Sequence, residues 1–300
     1  MIQRPDSTNL DTAVATHGED TEAFTVSTDT TGVSFAGALR SEVLKLLWLR
    51  STTWLVVVTV LMYAGLTVVT GMTMGFIAES RALDGTGAGF EAEAFDYDVM
   101  VAEAPLMATY LAIIVLGALG VLSVTTEYAS GSIRSTLAAV PRRGMLFAAK
   151  GLALTFYVSV VSVLVVVLSY LLTLPFAIYY DLVPSLGNPD VLALYLTHVL
   201  SIVMCALLGF GTGAMFRSTA GGIVTLALVV FVMPLVLQIF AGLRPESDMV
   251  EVLIDAMPLM LMMDFVSAGA DHGWAAGAGL LAWAAAAVIP GCVLMMRRDA

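Results

Sequence analysis

Long apolar runs separated by short polar segments set the pattern of this chain. Six runs contain no Asp, Glu, Lys or Arg: Ser51–Ala78, Ala104–Thr126, Gly151–Tyr180, Val191–Phe216, Ser218–Leu243 and Gly273–Met296. About 20 apolar residues in helical form cross a hydrocarbon core about 30 Å thick, and each run reaches that length. Within the third, Leu154–Leu172 holds thirteen Leu, Val or Phe residues. Together these favour insertion by roughly 4–8 kcal/mol before polar residues are counted. The pattern predicts an all-α integral membrane protein with six transmembrane helices.

The segments between the runs differ in kind. Residues 1–33 are rich in Thr, Asp and Glu, hold one basic residue, Arg4, and show no apolar period. They read as a disordered acidic tail, with no basic segment and apolar core of a signal peptide. Residues 34–300 then form a single membrane domain. From Ser34 to Trp54, Phe35, Leu39, Val43, Leu46 and Leu47 recur at helical spacing, whereas Arg40, Glu42, Lys45 and Arg50 fall largely elsewhere. This is an amphipathic helix resting at the membrane surface before the first span, anchored by Arg40, Lys45 and Arg50. Arg244–His272 is too charged for a span and too apolar for a free loop, and Pro258 divides it. It reads as two short helices at the outer face.

Val124 to Lys150 is the long polar interruption that carries net positive charge, with Glu127 opposed by Arg134, Arg142, Arg143 and Lys150. Taken as one helix, Thr126–Ala139 places Glu127, Gly131, Arg134 and Ala138 on one face and Ser130, Ile133 and Leu137 on another. Pro141 stops it, and Arg142-Arg143 follows.

Composition sharpens the class. Apolar residues make up 59% of the chain and charged residues 12%, with mean hydropathy +0.92. Soluble domains carry about 25% charged residues. Orientation follows from the cations. With the N-terminus inside, eleven Lys or Arg lie on the inner side and two, Arg81 and Arg244, outside. That asymmetry predicts a multi-pass protein of the plasma (inner) membrane with both termini cytoplasmic. Fifteen of the twenty-four acidic residues fall outside, which accounts for the net charge of −11 without a basic partner or a nucleic acid.

Several chemistries are excluded or left without means. A phosphate-binding P-loop needs Gly-Lys-Ser/Thr, but the two lysines, Lys45 and Lys150, are followed by Leu and Gly. His17, His198 and His272 lie in separate regions without metal-ligand spacing, and Cys205 and Cys292 sit far apart in apolar runs. No catalytic residue, metal ligand or bound cofactor is expected, and the chain is not read as an enzyme. His198 and Gln238 are the polar groups within the spans that could line a substrate path; interhelical hydrogen bonding is the structural alternative for both. Gly209 and Gly213 form a G-x-x-x-G, and Gly273, Gly277 and Gly279 crowd the last span, so close helix approach is expected.

The segment Glu127-Tyr128-x-x-Gly131-Ser132-Ile133-Arg134-x-Thr136-Leu137, followed by Pro141-Arg142-Arg143 and Lys150, resembles the actinobacterial branch of the ABC-2-type transporter permeases. The likeness extends over about Ser34–Met296. It implies that two permease chains, identical or different, pair with two copies of a separate ATPase that binds ATP and Mg2+. It also implies that the helix after the second span is a coupling helix seated in a cleft of that ATPase. Glu127 and Arg134 would offer charge to the cleft, Gly131 would permit close approach and Tyr128 would anchor the helix at the headgroup level. Arg142, Arg143 and Lys150 would meet anionic headgroups. Export of an amphiphilic small molecule, drug, peptide or lipid is the implied activity. The competing reading is an unpowered channel, sensor or scaffold, and the motif is the feature that opposes it.

Overall fold

The fold was analysed in a computed structural model. The structure describes residues 34–84, 97–139, 142–243, 248–267 and 269–297, together with their connections where these fall inside those ranges. The acidic tail expected at 1–33 and most of the acidic outer segment, 85–96, lie outside the described residues.

Every secondary-structure element among the described residues is a helix, in the order that the apolar runs predict. Helix α1 (Phe35–Trp48) is followed after Leu49 by α2 (Arg50–Asp84). Helix α3 (Tyr97–Glu103), a 3₁₀ turn (Ala104–Ala108) and α4 (Thr109–Ala129) run on without a break. Then come the short α5 (Ile133–Ala139), α6 (Arg143–Tyr179) and α7 (Pro189–Phe216). Helix α8 (Thr219–Ala227), a π turn (Leu228–Val232) and α9 (Met233–Leu243) together make the fifth crossing. Two short helices, α10 (Asp248–Asp255) and α11 (Pro258–Ser267), precede α12 (Gly269–Arg297). Among the described residues six helical segments are long and apolar enough to cross a membrane.

Local chemistry explains the boundaries. Ser34 accepts from the Gly37 amide at 3.1 Å and Ser218 from the Gly221 amide at 3.3 Å, so each caps its helix. Asn188 accepts from the Asp190 amide at 3.0 Å, with Pro189 at the first helical position of α7. The fourth and fifth crossings are joined by Arg217 and Ser218 alone; Arg217 adopts φ +52° and its amide closes α7 on Gly213 O at 2.9 Å. In the fifth crossing Pro234 has no amide to give to the carbonyl of Val230, and its ring would crowd that carbonyl. The chain widens just before it: the Met233 amide reaches Leu228 O, five residues back.

Helix α7 occupies the centre, packed on α4 along one side and α12 along another. Of the most apolar eighteen residues of each crossing, 56% are buried in the second and 17% in the fifth, which places α4 inside and α8–α9 at the periphery. Small residues set these distances. A Cβ on Gly120 would lie 2.0 Å from Ala206 O, and one on Gly209 would lie 2.1 Å from Gly117 O. A Cβ on Gly211 would fall 2.4 Å from the backbone carbon of Ala287. Gly209 of the G-x-x-x-G therefore seats α7 on the backbone of α4 within one chain. Hydroxyls add polar ties between crossings: Tyr63 and Thr109 meet at 2.5 Å, and Thr67 donates to Ser169 at 3.4 Å.

An even number of crossings brings the start of α1 and the end of α12 to one end of the bundle. That end also holds the foot of α4, helix α5, the start of α6 and the α7–α8 turn, and it is called here the basic end. At the opposite end α11 lies along α12, and the Trp283 indole N–H donates to Ala256 O at 2.8 Å, holding the α10–α11 junction down.

Gly120→Ala is expected to destabilise the protein by about 1–3 kcal/mol or more, because the added methyl meets backbone that no rotamer change can move. Gly65→Ala is the matched control, since nothing lies within 4 Å of its added Cβ. Thermal unfolding of the two variants in the same detergent checks the difference; equal midpoints would contradict the packing described.

Candidate functional site

Helix formation carries α4 past the apolar run to Ala129, so Glu127 and Tyr128 belong to the last turn of the second span. Ser130-Gly131-Ser132 then breaks the chain: Gly131 takes φ +70°, a conformation that costs a residue with a Cβ about 1–2 kcal/mol. The continuous helix expected over Thr126–Ala139 is therefore two pieces. Glu127 and Arg134 do not share a helix face, and α5 starts afresh at Ile133.

Glu127 faces inward and completes a ring of four charges. Its Oε1 accepts from Lys150 Nζ at 2.6 Å and from Lys45 Nζ at 2.9 Å. Glu42 Oε1 accepts from Lys45 Nζ at 2.6 Å, and Glu42 Oε2 accepts from Lys150 Nζ at 2.7 Å. Signs alternate around the ring and sum to zero. The side chains of Lys150, Glu42 and Glu127 are 3%, 6% and 11% exposed, whereas Lys45 is 43% exposed. Three elements meet here: α1 gives Glu42 and Lys45, α4 gives Glu127, and α6 gives Lys150.

The charges explain the ring's state. Burial works against the Lys45 ammonium, but hydrogen bonds and the charges of Glu42 and Glu127 outweigh it and hold the group above the ordinary lysine value of 10.5. The stability Lys45 contributes is fully present below that unfolded value and is lost only as pH rises through the higher folded one. Across the physiological range it is a fixed cation.

Two neighbours of Glu127 tie the same foot to the rest of the bundle. Thr125 Oγ1 and Thr219 Oγ1 lie 2.8 Å apart, joining α4 to α8. The Tyr128 ring lies under the Arg217 guanidinium, 5.0 Å from its centroid, and Arg217 Nη2 donates to Leu294 O of α12 at 3.5 Å. Within four residues, the foot of α4 therefore grips α1, α6, α8, the α7–α8 turn and, through Arg217, α12.

The sequence-derived candidates divide accordingly. Tyr128 is half-buried beneath Arg217. Lys150, expected at lipid headgroups, is internal, and Lys45 is half-internal, because each is needed to balance a buried carboxylate. Arg40, Arg50 and Arg142 are exposed at the basic end, and Arg143 opens α6 half-buried. Arg134 lies in α5, but its side chain is outside the described set. His198 is buried in α7 with Nδ1 2.7 Å from Leu194 O. Gln238 lies exposed on α9, its Nε2 3.9 Å from Met260 Sδ. No group of three or more His, Cys, Asp or Glu residues in metal-binding range occurs among the described residues. Glu42 is the site residue that sequence reasoning passed over. The available signal was that both lysines of the chain stand beside long apolar runs.

Above this ring, between α1, the start of α2, the foot of α4, α5 and α6, opens a cavity of about 600 Å³. Glu42, Lys45, Glu127 and Lys150 form part of its wall, and Arg50, Ser51, Ser130 and Thr136 another. No protein-family model, curated protein or solved structure matches the chain.

Lys150→Met is expected to cost about 3–5 kcal/mol, the penalty for leaving a buried carboxylate uncompensated. The double variant Glu127→Gln/Lys150→Met is expected to recover much of that loss, since Glu42 and Lys45 remain to neutralise one another. Thermal unfolding of the wild type, single and double variants in detergent measures both terms. Gly131→Ala is expected to increase amide hydrogen exchange across residues 130–139, with Gly131→Asn nearer the wild type, because Asn tolerates the left-handed region better.

Proposed function

We propose that this chain is the membrane-spanning subunit of an ATP-binding-cassette transporter of the ABC-2 type, working with a separate ATPase and a second permease chain. The observation that carries the reading is the layout of the Glu127–Leu137 motif. A seven-residue helix, α5, hangs at the basic end on a glycine break, directly beside a span foot bonded to most of the bundle. A push on α5 reaches α4 within three residues, and from there the ring, the Thr125–Thr219 pair and the Tyr128–Arg217 stack pass it on.

In this reading the basic end is cytoplasmic and both termini lie there, as the distribution of cations favours. Each ATPase would receive α5, with Ser132, Ser135 and Ala138 exposed for contact and Arg134 supplying charge. Glu127 takes a different role from the one its motif position suggests: it positions the helix from inside. Closure of the ATPases on ATP would shift α5 and the foot of α4, and the loosely packed first and fifth crossings would move against the second permease chain. Export of an amphiphilic molecule fits spans whose interior lacks a hydrophilic stripe. ATP and Mg2+ belong to the ATPase.

Cysteine scanning tests orientation and partner together, in a background lacking Cys205 and Cys292. A thiol placed by Ser135→Cys is expected to cross-link to a P-loop ATPase that co-purifies with this chain. It is also expected to resist a membrane-impermeant maleimide added to intact cells, whereas Ser185→Cys at the opposite end reacts. Labelling of position 135 from outside, or cross-linking indifferent to position, would overturn the reading.

A further inference from the structure

The cavity at the basic end has a volume typical of small-molecule sites, about 600 Å³ here against about 300–1,000 Å³ in general. Its wall combines two kinds of polar group. Lys45, Arg50 and Lys150 supply three positive charges, and Glu42 and Glu127 supply two negative ones, an excess of one cation. The ring neutralises itself, so the excess resides on Arg50, which is exposed and takes part in none of the ion pairs among the described residues. Lys45 and Lys150 each spend two of three N–H groups on the ring, leaving one apiece. The electrostatic complement of this wall is a monoanion.

The hydroxyls of the wall point to the rest of the ligand. Ser123 donates to Gly120 O at 2.6 Å, Thr126 to Leu122 O at 2.8 Å, Ser130 to Thr126 O at 2.8 Å and Thr136 to Ser132 O at 3.1 Å. Each has spent its single proton on its own helix and keeps only acceptor lone pairs. These four hydroxyls present acceptors alone and so suit a ligand that carries donors.

The level of the cavity identifies the source. Arg50 opens the first crossing, and Trp48 and Trp54, 82% and 69% exposed, flank it in sequence. Exposed indoles beside the first residues of a span mark the depth of lipid headgroups.

We propose that this cavity binds the headgroup of an anionic phospholipid whose phosphodiester carries a hydroxylated alcohol, of the phosphatidylglycerol type. Arg50 meets the phosphodiester, supported by the remaining donors of Lys45 and Lys150. The hydroxyls of Ser123, Thr126, Ser130 and Thr136 accept from the glycerol. A choline headgroup is zwitterionic and has no N–H or O–H to give, so it is refused on both counts. The inference needs the membrane-spanning architecture but not an ATPase, and it stands or falls separately from the transporter reading.

Native mass spectrometry of the full-length purified chain tests it, with dioleoyl phosphatidylglycerol or phosphatidylcholine added at equal concentration. Phosphatidylglycerol is expected to be retained at least tenfold more strongly. Arg50→Gln, which leaves the buried ring intact, is expected to abolish that preference, and Arg50→Lys to keep most of it. Arg297→Gln, another exposed cation at the same end and outside the cavity wall, is expected to leave it unchanged. Equal retention of the two lipids, or an equal loss from Arg297→Gln, would overturn the proposal in favour of diffuse surface attraction. Displacement of the lipid by millimolar glycerol phosphate would overturn the lipid assignment and make the ligand a soluble phosphate.

Discussion

A ring of four charges from three helices, three of them buried, holds the basic end together. Moving carboxylates and ammoniums out of water costs several kcal/mol per ion, and an isolated pair seldom recovers it. Here each ammonium bridges two carboxylates, and each carboxylate receives two ammoniums, so every charge faces two of opposite sign within 2.9 Å. Such a ring adds little net stability compared with a well-packed apolar contact of the same size. What it supplies is discrimination: α1, α4 and α6 are held in the one register where all four groups meet. The unbonded Oε2 of Glu127, buried without a protein partner among the described residues, is a remaining cost of that arrangement.

The rest of the bundle is held by a different force. In lipid, helices gain no hydrophobic advantage from packing on one another, and close van der Waals contact must serve instead. Glycines on α4 and α7 let backbone meet backbone, and the two helices become a rigid centre around which the first and fifth crossings are loosely applied. Rigidity at the centre and looseness at the edge are the mechanical conditions for moving a few spans without unfolding the whole. The foot of α4 belongs to the rigid centre yet ends beside the short α5, which presents Ser135 and Ala138 outward, and that junction is the natural place for force to enter.

The same junction accounts for the cavity. Glycine at 131 turns the chain away from α4, α1 lies across the gap from it, and the ring forms part of the wall of the space between them. A position at headgroup depth with one excess cation follows from the placement of Arg50 at the start of α2. Lipid recognition and mechanical coupling would then share one wall, with the ring common to both.

Much of this was legible in the chain. Apolar runs of about 20 residues located the six crossings, because hydrocarbon admits no backbone left without hydrogen bonds and so enforces helices of that length. The amphipathic spacing of Phe35–Leu47 located α1, and Pro258 located the division between α10 and α11. The sequence pattern puts Glu127 on a helix over Thr126–Ala139 that faces a partner, whereas in the fold it ends the second span and turns inward onto Lys45 and Lys150. Periodicity says which residues share a face of one helix; it does not say where that helix stops or what stands opposite. Gly131 was read as permitting close approach, when its backbone dihedral ends the helix. Lys150 was read as surface, when Glu42, 108 residues away in sequence, waits to receive it. Hydropathy is a local property and was sufficient for the spans. Pairing between charges on separate helices is a property of their packing, and only the tertiary structure decided it.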